Sequence, residues 1–134
     1  MEKYEVVIVG AGPSGIGMCS MLKDFGVESM TIIDKGKVGE TFDKWPEEMR
    51  FITPSFTTNF WGHMDLNSIA VGTSPAFTLE TEHPTGKEYA KYLRTLAEHF
   101  ELPIKENTEV ESVIILTIIL QLILKMVLPL NLLI

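Results

Sequence analysis

Cysteine is nearly absent from this chain. Cys19 is the single one in 134 residues, which excludes an internal disulfide framework. Histidine is scarce too: His63, His83 and His99 are scattered without ligand-like spacing, and no cysteine or acidic cluster stands by to complete a metal site. No metal is therefore expected, and surface or structural roles are expected for all three. Basic residues are outnumbered, 11 against 18 acidic ones, for a net charge of −7. Such a body repels a phosphate backbone rather than gathering it, so nucleic acid is not the expected partner. The N-terminus, Met1-Glu2-Lys3-Tyr4, lacks the basic region, apolar stretch and small-residue cleavage site of a secretory leader. The body reads as cytoplasmic.

Charge is also missing from one end. Residues 113–134 hold Lys125 as their one charged residue, among Ile, Leu, Val and Met. Length permits a membrane span, since about 20 apolar residues suffice and a lysine near one end can snorkel. No basic cluster or aromatic belt flanks the run. The favoured reading is a frameshifted or truncated continuation, with membrane association as the alternative. The domain proper is expected within residues 1–112.

There, Tyr4 to Val9 is a nearly continuous apolar run, the pattern of a strand buried on both faces of a parallel sheet. From Ser14 to Phe25, Ile16, Cys19, Leu22 and Phe25 recur near helical spacing, and Gly26 follows where a left-handed residue would stop a helix. Met30–Ile33 is a second strand, ending on Asp34. Residues 35–84 lack a sustained period and are too long for an ordinary connection, which marks a binding segment or inserted elements. Thr85 to Glu88 fits a capping box, followed by a helix whose apolar face carries Tyr89, Tyr92, Leu93, Leu96, Ala97 and Phe100. Ile104 and the Val110 region read as further short strands. The expected class is α/β, a Rossmann-like FAD/NAD(P)-binding domain with a parallel sheet, incomplete and followed by the apolar tail.

The chemistry lies in the first turn. In Gly10-Ala11-Gly12-Pro13-Ser14-Gly15 the first glycine permits a tight turn, the second lets backbone approach a pyrophosphate, and the third lets helix and strand pack closely. Free N–H groups and the positive end of the helix dipole favour a diphosphate there without a cationic side chain. Ser14 adds a hydroxyl donor. A glycine pattern alone is a weak signal; preceded by a strand, opening a helix and leading to Asp34, it is a strong one. Asp34 is suited to accept from the adenosine ribose hydroxyls and to repel the extra phosphate of NADP, which leaves FAD or NAD for this site. Cys19 reads as a small packing residue.

With Asp34-Lys35, Gly39-Glu40-Thr41-Phe42 and Trp45 added, the sequence resembles the FAD-containing pyridine-nucleotide oxidoreductases of flavin monooxygenase-like and thioredoxin-reductase-like type. His83 to Leu93 and Asn107 to Val113 extend the resemblance, which covers roughly residues 3–113. It implies that Gly10, Gly12, Pro13, Ser14 and Gly15 line the FAD pyrophosphate, Asp34 and Lys35 the adenosine, Thr41 and Phe42 the flavin side, and Val110 the adenine through its backbone. It also implies NAD(P)H as hydride donor for the full-length family. Phe42 stands where the glutathione-reductase-like branch places its first redox cysteine, which argues against a dithiol mechanism. Ser14 stands where a bacillithiol-disulfide-reductase-like group has cysteine, so a monooxygenase or general reductase reading stays open. Glu40 replaces a glycine common in relatives. No second glycine fingerprint follows residue 15, so the second nucleotide site is missing, and no catalytic residue is assigned.

Trp45, Phe51, Phe56, Phe60 and Trp61 could wall a flavin ring, although packing of the long segment onto the core is the favoured role. Arg50 is expected to pair with Glu47 and Glu48 beside it rather than to hold a phosphate.

Overall fold

The computed structural model of the chain describes residues 3–55 and 65–114. Phe56, Phe60, Trp61, His63 and the tail from 115 onward lie outside them.

Strand β1 (Val6–Val9) leads through the glycine turn into helix α1 (Pro13–Asp24) and on to strand β2 (Met30–Ile33). Two short helices follow, α2 (Glu40–Asp43) and α3 (Pro75–Leu79), then the long helix α4 (Gly86–His99) and strand β3 (Ile104–Lys105). The three strands form one parallel sheet in the order β1-β2-β3, with Val6 opposite Met30 and Ile32 opposite Ile104. The expected α/β architecture is present.

Local chemistry explains the helix ends. Gly26 takes φ +82° after α1, and Gly26 N–H donates to the Lys23 carbonyl at 2.9 Å. Only glycine reaches that conformation cheaply, so the helix stops there. At α4 the Thr85 hydroxyl accepts from Glu88 N–H, and the Glu88 carboxylate accepts from Thr85 N–H at 2.7 Å. Two otherwise orphaned donors are thus satisfied reciprocally.

The core lies on one side of the sheet. Ile16 and Cys19 of α1, Met30 and Ile32 of β2, and Tyr92, Leu93 and Leu96 of α4 form it, with Val6 and Ile8 packed against it. Cys19 is buried there, its Sγ 3.8 Å from Met30 Sδ, and burial pushes its thiol pKa up, partly countered by Lys23.

The opposite side differs from the expectation of a strand buried on both faces. Val7 and Val9 are 48% and 64% exposed. Successive strand residues point to opposite faces, and among the described residues no helix covers the second one. The Val110 region likewise forms no strand. Asn107 adopts φ +52°, and Asn107 N–H and Thr108 N–H donate to the carbonyls of Gly36 and Asp34 at 3.0 and 2.8 Å. Those bonds turn the chain along the loop after β2 instead of along the sheet.

The segment leading to α4 is organised by a buried carboxylate. Asp65, 1% exposed, accepts from Asn67 N–H at 2.8 Å, Ser74 Oγ–H at 2.6 Å and Ala76 N–H at 3.2 Å. The Tyr89 hydroxyl donates to the Asn67 carbonyl at 2.8 Å, fastening this segment to α4, and burial pushes the Tyr89 pKa strongly upward. Arg50 pairs with Glu88 at 3.9 Å and donates to the His83 carbonyl at 3.2 Å. Its partner is therefore Glu88, brought near by folding, in place of the expected sequence neighbours Glu47 and Glu48. His83 Nδ1 lies 2.9 Å from the Phe51 carbonyl, and the His99 ring packs edge-on against Phe100.

Candidate functional site

The glycine turn has three distinct geometries at its three glycines. Gly10 takes φ +107°, and its N–H donates to the Ile33 carbonyl at 2.9 Å, hooking the turn onto the end of β2. Gly15 faces inward: a β-carbon there would sit 1.9 Å from the Gly10 carbonyl oxygen. A β-carbon on Gly12 would meet nothing within 4 Å, because it would project into open space. Gly12 also caps α1 without a side-chain hydrogen bond, Pro13 begins the helix, and no acidic residue occupies the first turn. The first turn of the helix thus supplies no side-chain anion of its own to its positive end.

That end opens on a cavity of about 600 Å³. Gly10, Ala11, Gly12 and Pro13 form one wall, Asp34, Lys35 and Lys37 a second, Glu40, Thr41, Phe42 and Lys44 a third, and Glu109 and Val110 close it. Of the residues singled out from sequence, Gly10, Gly12, Pro13, Asp34, Lys35, Thr41, Phe42 and Val110 come together here. Gly15 lies behind the turn. The Ser14 side chain is exposed and borders a second concavity of about 480 Å³ along α1, with Met18, Met21 and Val71.

Asp34 is already engaged within the fold. Its Oδ2 accepts from Ala11 N–H at 2.6 Å and its Oδ1 from Gly36 N–H at 2.7 Å. An ionised carboxylate has about four lone-pair positions, so acceptor capacity for ligand hydroxyls remains after both bonds. Asp34 thus ties the glycine turn to the loop beyond β2. Gly39 N–H adds a second tie, to the Ala11 carbonyl at 3.1 Å.

Phe42 fixes the third wall. Its ring lies 5.0 Å from Trp45, 5.8 Å from Phe51 and 5.0 Å from Tyr89. Trp45 and Phe51 thus pack α2 against α4. Gly86 lets the two helices approach, since a β-carbon there would sit 2.2 Å from the Phe42 carbonyl oxygen, and Arg94 of α4 pairs with Asp43.

Lys37, Lys44, Glu40 and Glu109 line the cavity without having been singled out as ligand residues. Lys37 and Lys44 carried a faint signal, a basic side chain within ten residues of Asp34. Glu40 pairs with Lys44 at 3.3 Å, and its carboxylate lies over Gly36, where a β-carbon would sit 1.7 Å from Oε2. The backbone donor Ala11 carried no signal, because any residue supplies an N–H.

Among the described residues no helix is long and apolar enough to cross a membrane, and no group of three or more His, Cys, Asp or Glu is placed to hold a metal.

The chain is similar to several known proteins. The chain is 31% identical over 114 residues to the uncharacterized oxidoreductase CzcO of Bacillus velezensis, an overlap of 82% of this chain and 29% of the relative. It is 29% identical over 108 residues to a CzcO-like oxidoreductase of Geobacillus kaustophilus, 81% of this chain and 28% of that one. The chain therefore spans less than a third of the length of these relatives. Among solved structures, the bacillithiol disulfide reductase Bdr (YpdA) of Staphylococcus aureus superimposes with a TM-score of 0.66 at 25% identity, covering 84% of this chain and 31% of that one. A flavin monooxygenase of Stenotrophomonas maltophilia gives 0.62 at 19% identity over 86% and 31%, a likeness of fold. The pattern of one family runs through residues 7–116, from the second valine of β1 past the last described residue: the chain belongs to the pyridine nucleotide-disulphide oxidoreductase family.

Proposed function

We propose that residues 1–112 are the FAD-binding N-terminal portion of an NAD(P)H-dependent flavoprotein oxidoreductase of monooxygenase or reductase type. The observation that carries this reading is the convergence on one cavity of a helix N-terminus without a side-chain cap, a glycine whose β-carbon position is open, and the Asp34 carboxylate. A cavity of about 600 Å³ is within the usual range for small-molecule sites.

In this reading Gly10, Gly12, Pro13, Ser14 and Gly15 form the pyrophosphate turn, Ser14 through its place in the first turn of α1. Asp34 and Lys35 hold the adenosine, Val110 meets the adenine through its backbone, and Thr41 and Phe42 border the flavin side. Asp34 disfavours the additional phosphate of NADP, which leaves FAD or NAD, and membership of the oxidoreductase family favours FAD as the resident ligand. When bound, FAD supplies the redox chemistry, accepting hydride from a nicotinamide cofactor and passing electrons to oxygen or another acceptor. The residues described bind and orient it. Because no second glycine fingerprint follows residue 15, NAD(P)H handling is assigned to the full-length family rather than to these 134 residues.

The test is flavin retention. The folded full chain is mixed with FAD, freed of unbound ligand and examined for flavin absorbance. Equimolar FAD supports the reading, and well-folded protein without flavin overturns it.

A further inference from the structure

The loop between β2 and α2 forms one wall of the cavity, and its shape depends on a side chain outside that cavity. Val38 N–H donates to Glu106 Oε1 at 2.8 Å. The next residue, Gly39, takes φ +70° and donates to the Ala11 carbonyl of the glycine turn. The Glu106 bond is therefore made at the Lys37–Val38 peptide, one before the peptide whose N–H bonds the glycine turn. Asn107 and Thr108 add two backbone bonds to the same loop, at Gly36 and Asp34. Of these three links to residues 106–108, the Glu106 bond is the one that depends on a side chain. Val38 is buried, so loss of that acceptor leaves its N–H short of a partner.

From these contacts we propose that Glu106 is a positioning residue for the dinucleotide site. It fixes the Lys37–Val38 peptide, which adjoins the Val38–Gly39 peptide bonded to the Ala11 carbonyl, and through it the Lys37 wall and the carbonyl side of the glycine turn, without touching the ligand. The proposal rests on the FAD reading above and adds to it a residue that no motif marks.

Two substitutions separate reach from charge in the full chain. Glu106→Gln keeps the length and an acceptor oxygen but loses the charge. Glu106→Asp keeps the charge but is one methylene short. FAD affinity and hydrogen exchange at the Val38 amide are measured for both and for the parent. The expected result is that E106Q binds within about twofold of the parent, whereas E106D binds about tenfold more weakly and exchanges Val38 about tenfold faster. The proposal is overturned if E106D matches the parent in both readouts, or if E106Q is the weaker variant. It is also overturned if E106D exchanges Val38 faster yet binds FAD as tightly as the parent. If the parent itself takes up no FAD while Val38 exchange still separates E106D from E106Q, the FAD reading falls and the loop contact stands.

Discussion

Gly12 and Gly15 sit three residues apart and answer to different constraints. A methyl group on Gly15 would collide with the backbone carbonyl of Gly10, which cannot move without moving the whole turn. Gly15→Ala should cost about 2–3 kcal/mol of stability, in the manner of an overpacked core. A methyl group on Gly12 meets open space, and the residue has an ordinary negative φ of −88°. Gly12→Ala should stay within about 1 kcal/mol of the parent. Its FAD affinity should nevertheless fall by at least about tenfold, because the methyl group takes up room where the pyrophosphate approaches. Denaturant titration and FAD titration on both variants check the pair, and equal losses of stability would contradict the distinction. The motif shows that glycine is needed at both positions. Only the geometry shows that one serves the fold and the other the ligand.

At the scale of elements, α4 was the most legible piece, because its capping box and apolar stripe are local signals. Thr85→Ala should cost about 1 kcal/mol, measured by thermal or denaturant unfolding. Glu88 carries a pH signature. Hydrogen bonds from Thr85, backbone first and then side chain, hold its carboxyl below the usual carboxylate value, opposed by burial and helped least by Arg50. Its stabilising contribution is thus complete above the unfolded value and is lost as pH falls through the folded one. Glu88→Gln should therefore flatten the acid limb of the stability profile below about pH 4.5 and leave the slope near neutrality unchanged.

The short helices α2 and α3 were illegible as helices, since four or five residues hold too little of a 3.6-residue period to register. The Asp65 network was illegible for another reason. Its donors at Ser74 and Ala76 come from a neighbouring turn, and its fastening to α4 runs through Tyr89. Partners that meet only through folding leave no spacing to read. Glu106 and Val38 are the same case at the cavity wall.

For the molecule as a whole, helices cover one face of the sheet among the described residues, and β1 is the strand left open on the other. Alternation along β1 sends Val6 and Ile8 into the core and leaves Val7 and Val9 half-exposed or more. An apolar run reads alike whether one face is covered or two, because coverage depends on elements elsewhere in the fold. The energetic consequence is asymmetric. Ile32→Ala, at a fully buried position in β2, should cost about 3 kcal/mol. Val9→Thr should change stability by less than about 0.5 kcal/mol, since threonine keeps the β-branched shape and little burial is lost. A large loss for V9T in denaturant unfolding would mean that this face is covered in solution.

In the proposed reading, the cavity at the glycine turn selects FAD. Calorimetric titration of the full chain with FAD, NAD and NADP in turn, and with NAD and NADP as competitors, tests it most directly. Equimolar FAD binding that neither competitor displaces at comparable concentration is expected, with NADP weakest because of Asp34. Tighter binding of NADP than of FAD, or no heat with FAD from well-folded protein, would contradict it.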